Sequence, residues 1–195
     1  MCLAPAAGLV GSVAGVTLAG GDGNRTIEAV VGDIVAEHVD AVVNAANSRL
    51  AQGAGVCGAI FRAAGARDLQ QACDALGGCD PGDAKATPGF ALQARWIVHT
   101  VGPVWHGGDE NEDETLASCY RRSMAVAGGL GARSIAFPAI STGIYGFPQQ
   151  RAADIAVRTL RQVLADPADA EATASVVRLV AFDTTTFELY RSLLG

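Results

Sequence analysis

A short apolar run, Val39 to Val43, leads directly into two asparagines three apart, Asn44 and Asn47. A loop with little side-chain bulk follows, containing Gly53-Ala54-Gly55-Val56-Cys57-Gly58-Ala59-Ile60. Then a helix-period pattern begins, in which Ile60, Ala63, Ala64, Ala72, Cys73 and Leu76 are spaced to share one face. Strand, glycine-bearing loop and helix N-terminus in that order make an anion site physically available. The first helical N–H groups lack intrahelical partners, and the helix dipole places roughly half a positive charge there. Glycine lets a ligand approach the backbone closely.

The rest of the chain alternates in the same manner. Thr26 to Val31 reads as a strand that ends at Gly32-Asp33-Ile34, with Gly20 to Asn24 a turn before it. Gly77 to Pro88 reads as a polar, turn-rich connection and Trp96 to Thr100 as a buried strand. His106 to Asp113 is an acidic loop, and Leu116 to Leu130 a helix that stops at glycines. Ser134 to Phe137 is a short buried strand. It precedes a second glycine-bearing loop, Ser141-Thr142-Gly143-Ile144-Tyr145-Gly146, and a helix from Gln149 to Leu164. Asp166 to Thr173 reads as a loop, Val176 to Phe182 as a last strand and Thr186 to Leu194 as a closing helix. Such alternation predicts an α/β protein: a three-layer α/β/α sandwich around a mixed, largely parallel sheet. Ligands of such sheets bind beyond the carboxyl ends of the strands. Asp33, Asn44, Ser141 and Phe182 each end or follow a predicted strand, so all four are expected on one edge.

Composition narrows the function. The chain has 195 residues, half of them apolar and 17% charged, which suits one domain spanning 1–195, with residues 1–25 an N-terminal extension or edge strand. The net charge of −6 argues against a general nucleic-acid binder held by phosphate contacts, though backbone amides could still hold a phosphate ligand. No apolar run approaches a membrane span. The first twenty residues lack a basic segment and are interrupted by Gly8, Gly11 and Gly15, so a first strand or hairpin reaching Thr17-Leu18 is expected rather than a signal peptide. Five scattered cysteines, Cys2, Cys57, Cys73, Cys79 and Cys119, give neither a disulfide framework nor a zinc site. Reduced thiols fit a cytoplasmic protein, and a monomer without metal or cofactor is expected.

Several ordered motifs resemble the macrodomain family. They are residues 42–48 (Val-Val-Asn-Ala-Ala-Asn-Ser), 53–60, and 139–148 (Ala-Ile-Ser-Thr-Gly-Ile-Tyr-Gly-Phe-Pro). Gly32-Asp33-Ile34, Thr87-Pro88-Gly89-Phe90 and His99 to Trp105 resemble further segments in the same order. The likeness runs from about Thr26 to the end and is nearest to the MacroD-type branch. Its members bind ADP-ribose and often remove it from carboxylate esters.

The resemblance implies roles residue by residue. Asp33, with Ile34 beside it, would accept a hydrogen bond from the adenine amino group; Asp33 could equally cap the segment that follows it. Phe182 would cover the adenine face, or be a plain core phenylalanine. Ser141, Thr142, Gly143, Ile144 and Tyr145 would cradle the diphosphate with main-chain N–H groups. Asn47 would hold the second ribose, with Asn44, Ala46, Gly53, Gly55 and Val56 also lining the ligand. Both asparagines could instead be turn formers.

The chain departs from the family where chemistry is concerned. The position of Cys57 is usually an aspartate in MacroD-type hydrolases, and Phe61 replaces a residue that is often basic or polar. Three accounts remain. Water held by the substrate's own phosphate could attack, with Asn47 fixing geometry; positioning is worth about 7–11 kcal/mol of barrier. Cys57 could act as base or nucleophile at a helix N-terminus. A neighbouring diphosphate would oppose the thiolate, and no histidine (His38, His99, His106) is placed by motif order to help. Or the domain binds without turnover, Cys57 being a small apolar residue. The expected function is therefore an ADP-ribose-binding hydrolase of mono-ADP-ribosylated acidic residues or O-acetyl-ADP-ribose, with modified proteins as partners. A non-catalytic ADP-ribose reader is the alternative. A nicotinamide-dinucleotide oxidoreductase is disfavoured, because no GxGxxG follows the first strand.

Overall fold

The computed structural model describes residues 13–20, 23–166 and 174–195. The chain opens with β1 (Val13–Gly20), which pairs antiparallel with β2 (Gly23–Val31). This is the strand expected to reach Leu18, and it forms one edge of the sheet. Residues 21–22, at the centre of the expected turn, and 167–173 of the expected loop lie outside the described residues.

After β2 come a single 3-10 turn, Ile34–Ala36, and β3 (Ala41–Ala46). The expected long helix is two helices, α1 (Gly55–Ala64) and α2 (Ala66–Leu76). Gly65 breaks it, with φ of 98°, a conformation that a helix cannot propagate. The expected connection before residue 88 contains a strand, β4 (Ala84–Pro88), antiparallel to β5 (Trp96–Val101). It is an edge strand with a lysine and a terminal proline, so it carries little of the β-branched pattern that marks central strands. α3 runs Glu112–Gly129, starting four residues before Leu116. The Glu112 carboxylate accepts N–H bonds from His106, Gly108 and Glu110, drawing the acidic stretch into the first helical turn. Burial alone would raise its pKa; the backbone donors win and hold it down at about 2. Acidic residues there also complement the dipole. β6 (Ser134–Phe137), α4 (Gln149–Ala165), β7 (Val176–Ala181) and α5 (Thr184–Leu194) complete the order.

The strands form one seven-stranded sheet in the order β1-β2-β7-β6-β3-β5-β4. The five inner strands, β2, β7, β6, β3 and β5, are parallel. Side-chain alternation divides them between two cores. Val43, Ile135, Phe137, Val177 and Leu179 pack with α3, α4 and α5. Val42, Ala136, Ile97 and Val180 pack with α1 and α2. Helices thus cover both faces, as the α/β/α sandwich reading required. Among the described residues no helix is long and apolar enough to cross a membrane.

Candidate functional site

Because five strands run parallel, their carboxyl ends open on the same edge, and the segments leaving them enclose a cleft of about 700 Å³. Gly32 and Asp33 follow β2, Asn47 follows β3, Gly102 follows β5, residues 138–145 follow β6, and Phe182 and Asp183 follow β7. The start of α1, Gly55 to Cys57, forms the facing wall.

At one end Val31 pairs with Ala181, and Gly32 N–H donates to the Ala181 carbonyl at 3.0 Å, so Asp33 and Phe182 come together. Phe182 is 87% exposed, which excludes the core-phenylalanine reading and leaves an aromatic face free for a ligand. Asp33 Oδ1 accepts from Val35 N–H at 3.2 Å, so the cap role is real. Its exposed carboxylate still lines the cleft. Ile34 is buried beneath it.

The loop 141–146 forms one long wall. Ser141 has φ of 65°, and its carbonyl accepts from Phe147 N–H at 3.0 Å, closing the loop. Gly102 permits this: a Cβ there would lie 2.1 Å from Ser141 Oγ. Trp105 N–H donates to the Tyr145 carbonyl at 2.8 Å, and the Trp105 ring packs on Phe147 with centroids 4.7 Å apart. Among the described residues, the N–H groups of Thr142, Gly143, Ile144 and Tyr145 have no acceptor. A Cβ on Gly143 would meet nothing within 4 Å, so open space lies beside it. Opposite, α1 begins after Ala54, an N-cap residue that offers no side-chain cap, leaving its first amides unsatisfied. Two sets of uncharged donors therefore line one cavity. Arg62 is the single basic residue among the lining side chains, against Asp33 and Asp183. Sequence reasoning missed Arg62 and Asp183; the i, i+3 spacing of Ala59 and Arg62 on α1 was the available signal.

Asn44 is not where the sequence placed it. It sits within β3, fully buried, and does not line the cleft. Its register partner across the sheet is His99. Asn44 Nδ2 lies 3.1 Å from His99 Nδ1 and 3.6 Å from Cys57 Sγ, while its Oδ1 has no partner. An amide nitrogen only donates, so Nδ1 accepts and the imidazole proton resides on Nε2, 2.9 Å from Thr87 Oγ1. Burial lowers the His99 pKa to about 4, keeping it neutral. Strand pairing places His99 one side chain away from Cys57, with Asn44 between them, so the imidazole shares a neighbour with the thiol without contacting it. Cys73, also beside His99, is pushed up to about 11, first by burial.

Asn47 lines the cleft, yet it also forms a turn. Its Nδ2 donates to the Ala51 carbonyl at 2.7 Å, and Oδ1 accepts from Arg49 and Ala51 N–H at 3.2 Å each. One Nδ2 hydrogen remains for a ligand. Cys57 is nearly buried at the cleft wall, its Sγ 3.8 Å from the Ala51 carbonyl. Ala46, Gly53, Gly55 and Val56 line the cleft with it; of the residues predicted to touch a ligand, only Asn44 falls outside. Phe61 is fully buried in the α1 core, with no access to the cleft.

A three-layer α/β sandwich with an anion-accepting cleft at the carboxyl edge of its parallel strands is the class this geometry defines. The chain belongs to the Macro domain family, whose profile matches residues 43–156. It is 56% identical over 143 residues to a macro domain-containing protein of Chlorobaculum tepidum, covering 73% of this chain and 83% of that one. It is 48% identical over 171 residues to an O-acetyl-ADP-ribose deacetylase of Klebsiella pneumoniae, covering 86% and 95%. The fold superposes on the Oceanobacillus iheyensis macrodomain with ADP with a TM-score of 0.81 at 36% identity, covering 93% and 95% of the two chains.

Proposed function

We propose that the chain binds ADP-ribose in this cleft and hydrolyses acyl esters of its second ribose, both O-acyl-ADP-ribose and the mono-ADP-ribosyl esters of acidic side chains. The observation that supports it most is the pair of unsatisfied main-chain donor sets, residues 142–145 and the α1 start, facing one open space. A diphosphate fits that space without lysine or arginine. In this reading adenine lies on Phe182, with its amino group donating to Asp33. The second ribose lies at the other end, beside Asn47.

Water hydrogen-bonded to the substrate's own phosphate adds to the ester carbonyl, the bond from that carbon to the ribose oxygen breaks, and the proton passes to the departing ribose oxygen. The products are a carboxylic acid and ADP-ribose. Where the carboxylate is bonded to the anomeric carbon itself, water attack at that carbon instead breaks the bond to the carboxylate oxygen and releases the same pair; an acyl group on another ribose hydroxyl leaves only through its carbonyl. Asn47 donates its remaining N–H to the sugar and fixes its angle to the water. The scheme calls on no metal or redox cofactor. A reader without turnover is the second reading, favoured by one observation: the cleft-lining carboxylates, Asp33 and Asp183, both sit at the Phe182 end, away from Asn47.

Incubation with O-acetyl-ADP-ribose, and separately with a glutamate-linked mono-ADP-ribosylated protein, tests it by the ADP-ribose released. Release by the wild type is expected, with loss of both binding and release in Gly143→Glu, whose carboxylate would occupy the diphosphate space. Tight binding with no release from either substrate leaves the reader.

A further inference from the structure

We propose that Cys57 is a positioning residue rather than a nucleophile: its thiol joins the buried Asn44–His99 pair to the carbonyl of Ala51 and so sets the orientation of Asn47 in the cleft. The kinetic arm of this proposal rests on the ester-hydrolysis reading; its structural arm does not.

Six side chains and loop groups form a continuous path. Thr87 Oγ1 lies 2.9 Å from His99 Nε2, and His99 Nδ1 lies 3.1 Å from Asn44 Nδ2. The same Asn44 nitrogen lies 3.6 Å from Cys57 Sγ. Cys57 Sγ lies 3.8 Å from the Ala51 carbonyl, which accepts Asn47 Nδ2 at 2.7 Å. The directions are mutually consistent. Asn44 spends one N–H on His99 and the other on sulfur. The sulfur accepts that bond and donates its own proton to Ala51. The Ala51 carbonyl receives two donors, and the Ala51 N–H returns a bond to Asn47 Oδ1.

The inner end of this path cannot drift. Asn44, Thr87 and His99 are buried, and they sit on three adjacent strands, β3, β4 and β5, with β5 in the middle. The outer end is a loop, residues 47–54, in which the Asn47 side chain bonds only to Arg49 and Ala51, while the Ser48 carbonyl accepts from Cys79 N–H at 2.9 Å and Gln52 N–H donates to Gln70 Oε1 at 3.0 Å. Cys57 connects the rigid end to the loop. Gly58 lets the loop approach α1, since a Cβ there would lie 2.6 Å from the Gly53 carbonyl; a Cβ on Gly53 would make only ordinary contact, 3.6 Å from Cys57 Sγ and 3.8 Å from Asn47 Nδ2.

This arrangement gives the thiol a use that a nucleophile could not share. Both of its hydrogen-bonding directions are spent inside the protein. A carboxylate at this position, acceptor-only when ionised, could not donate to the Ala51 carbonyl. A sulfhydryl can, and it adds no charge beside the diphosphate.

The test combines NMR of the free protein with kinetics. In ¹⁵N spectra the side-chain amide pair of Asn47 should shift, and its exchange with water accelerate, in Cys57→Ala and in Thr87→Val. The second variant lies at the far end of the path, on an edge strand, and touches neither the cleft nor the loop. Cys57→Ser should return the Asn47 resonances toward their wild-type positions, since a hydroxyl donates and accepts in the same two directions. With O-acetyl-ADP-ribose, kcat should fall by up to about tenfold in Cys57→Ala, the scale of one hydrogen bond, with KM little changed and with recovery in Cys57→Ser. An Asn47 amide pair indifferent to Cys57→Ala overturns the proposal whatever the turnover. So does a loss of kcat in Cys57→Ala that Cys57→Ser leaves unrepaired. Wild-type protein that releases no product contradicts the hydrolase reading alone, and the Asn47 resonances still decide the path.

Discussion

The two faces of the sheet are built from the same parallel strands but packed in different chemistry. Toward α3, α4 and α5 the layer is mostly large and apolar: Phe137 packs at a tilt against Tyr120 with centroids 5.1 Å apart, and Phe147, Leu116 and Leu160 are fully buried in the same core. Toward α1 and α2 the strands place Asn44, His99 and Thr87 in the middle of Val42, Ile97 and Val101. A central parallel strand buried on both sides normally reads as a continuous apolar run. Buried polar groups forfeit hydration and are tolerated only when hydrogen-bonded. One face therefore supplies most of the stability, and the other gives some of it up to hold the wall of the cleft in place.

Truncation on the apolar face should break the comparison most severely. Phe137→Ala should cost about 3–5 kcal/mol of unfolding free energy, read by urea titration, while the protein that stays folded keeps its affinity for ADP-ribose. The polar face should show its character in acid. The folded pKa of His99 is about 4 against an ordinary 6.5, so on acidification the unfolded chain takes up its proton first. This contribution is intact above about pH 6.5, is lost progressively as pH falls toward 4, and amounts to roughly 3 kcal/mol in all. His99→Gln should flatten that window; a wild-type curve level between these limits would contradict the buried neutral imidazole. At the cleft mouth, Phe182→Ala should weaken ADP-ribose binding by about 1–3 kcal/mol in a calorimetric titration and leave the melting curve in place, because the ring is exposed. The smallest effect is expected at Arg62. Its guanidinium is exposed, and Arg62→Ala should change affinity by less than about 1 kcal/mol if main-chain donors hold the phosphates.

The apolar face was easier to read than the polar one. Helical and strand periodicity placed α4, β6 and β7 within a residue or so, since burial dominates there. The break at Gly65 and the strand β4 were not visible: one depends on a single backbone angle, the other on an edge position with no apolar pattern. Of the site, the two glycine-bearing loops were legible because their order along parallel strands puts them on one edge. Ser141 stands beyond the end of β6 and Asn44 lies inside β3, so the shared edge holds for the cleft segments but not for Asn44. His99 was missed because its partnership with Asn44 is set by register between β3 and β5, 55 residues apart in sequence, and one sequence alone does not display register.

In the proposed binding mode, main-chain donors grip a diphosphate. Titration of ADP-ribose into ¹⁵N-labelled protein, followed at backbone amides, examines those donors directly. The largest downfield shifts should fall on Thr142, Gly143, Ile144 and Tyr145 and on Gly55, Val56 and Cys57, together and at the same ligand concentration. Shifts confined to one of these segments, or concentrated around Arg62 while both stay still, would contradict it.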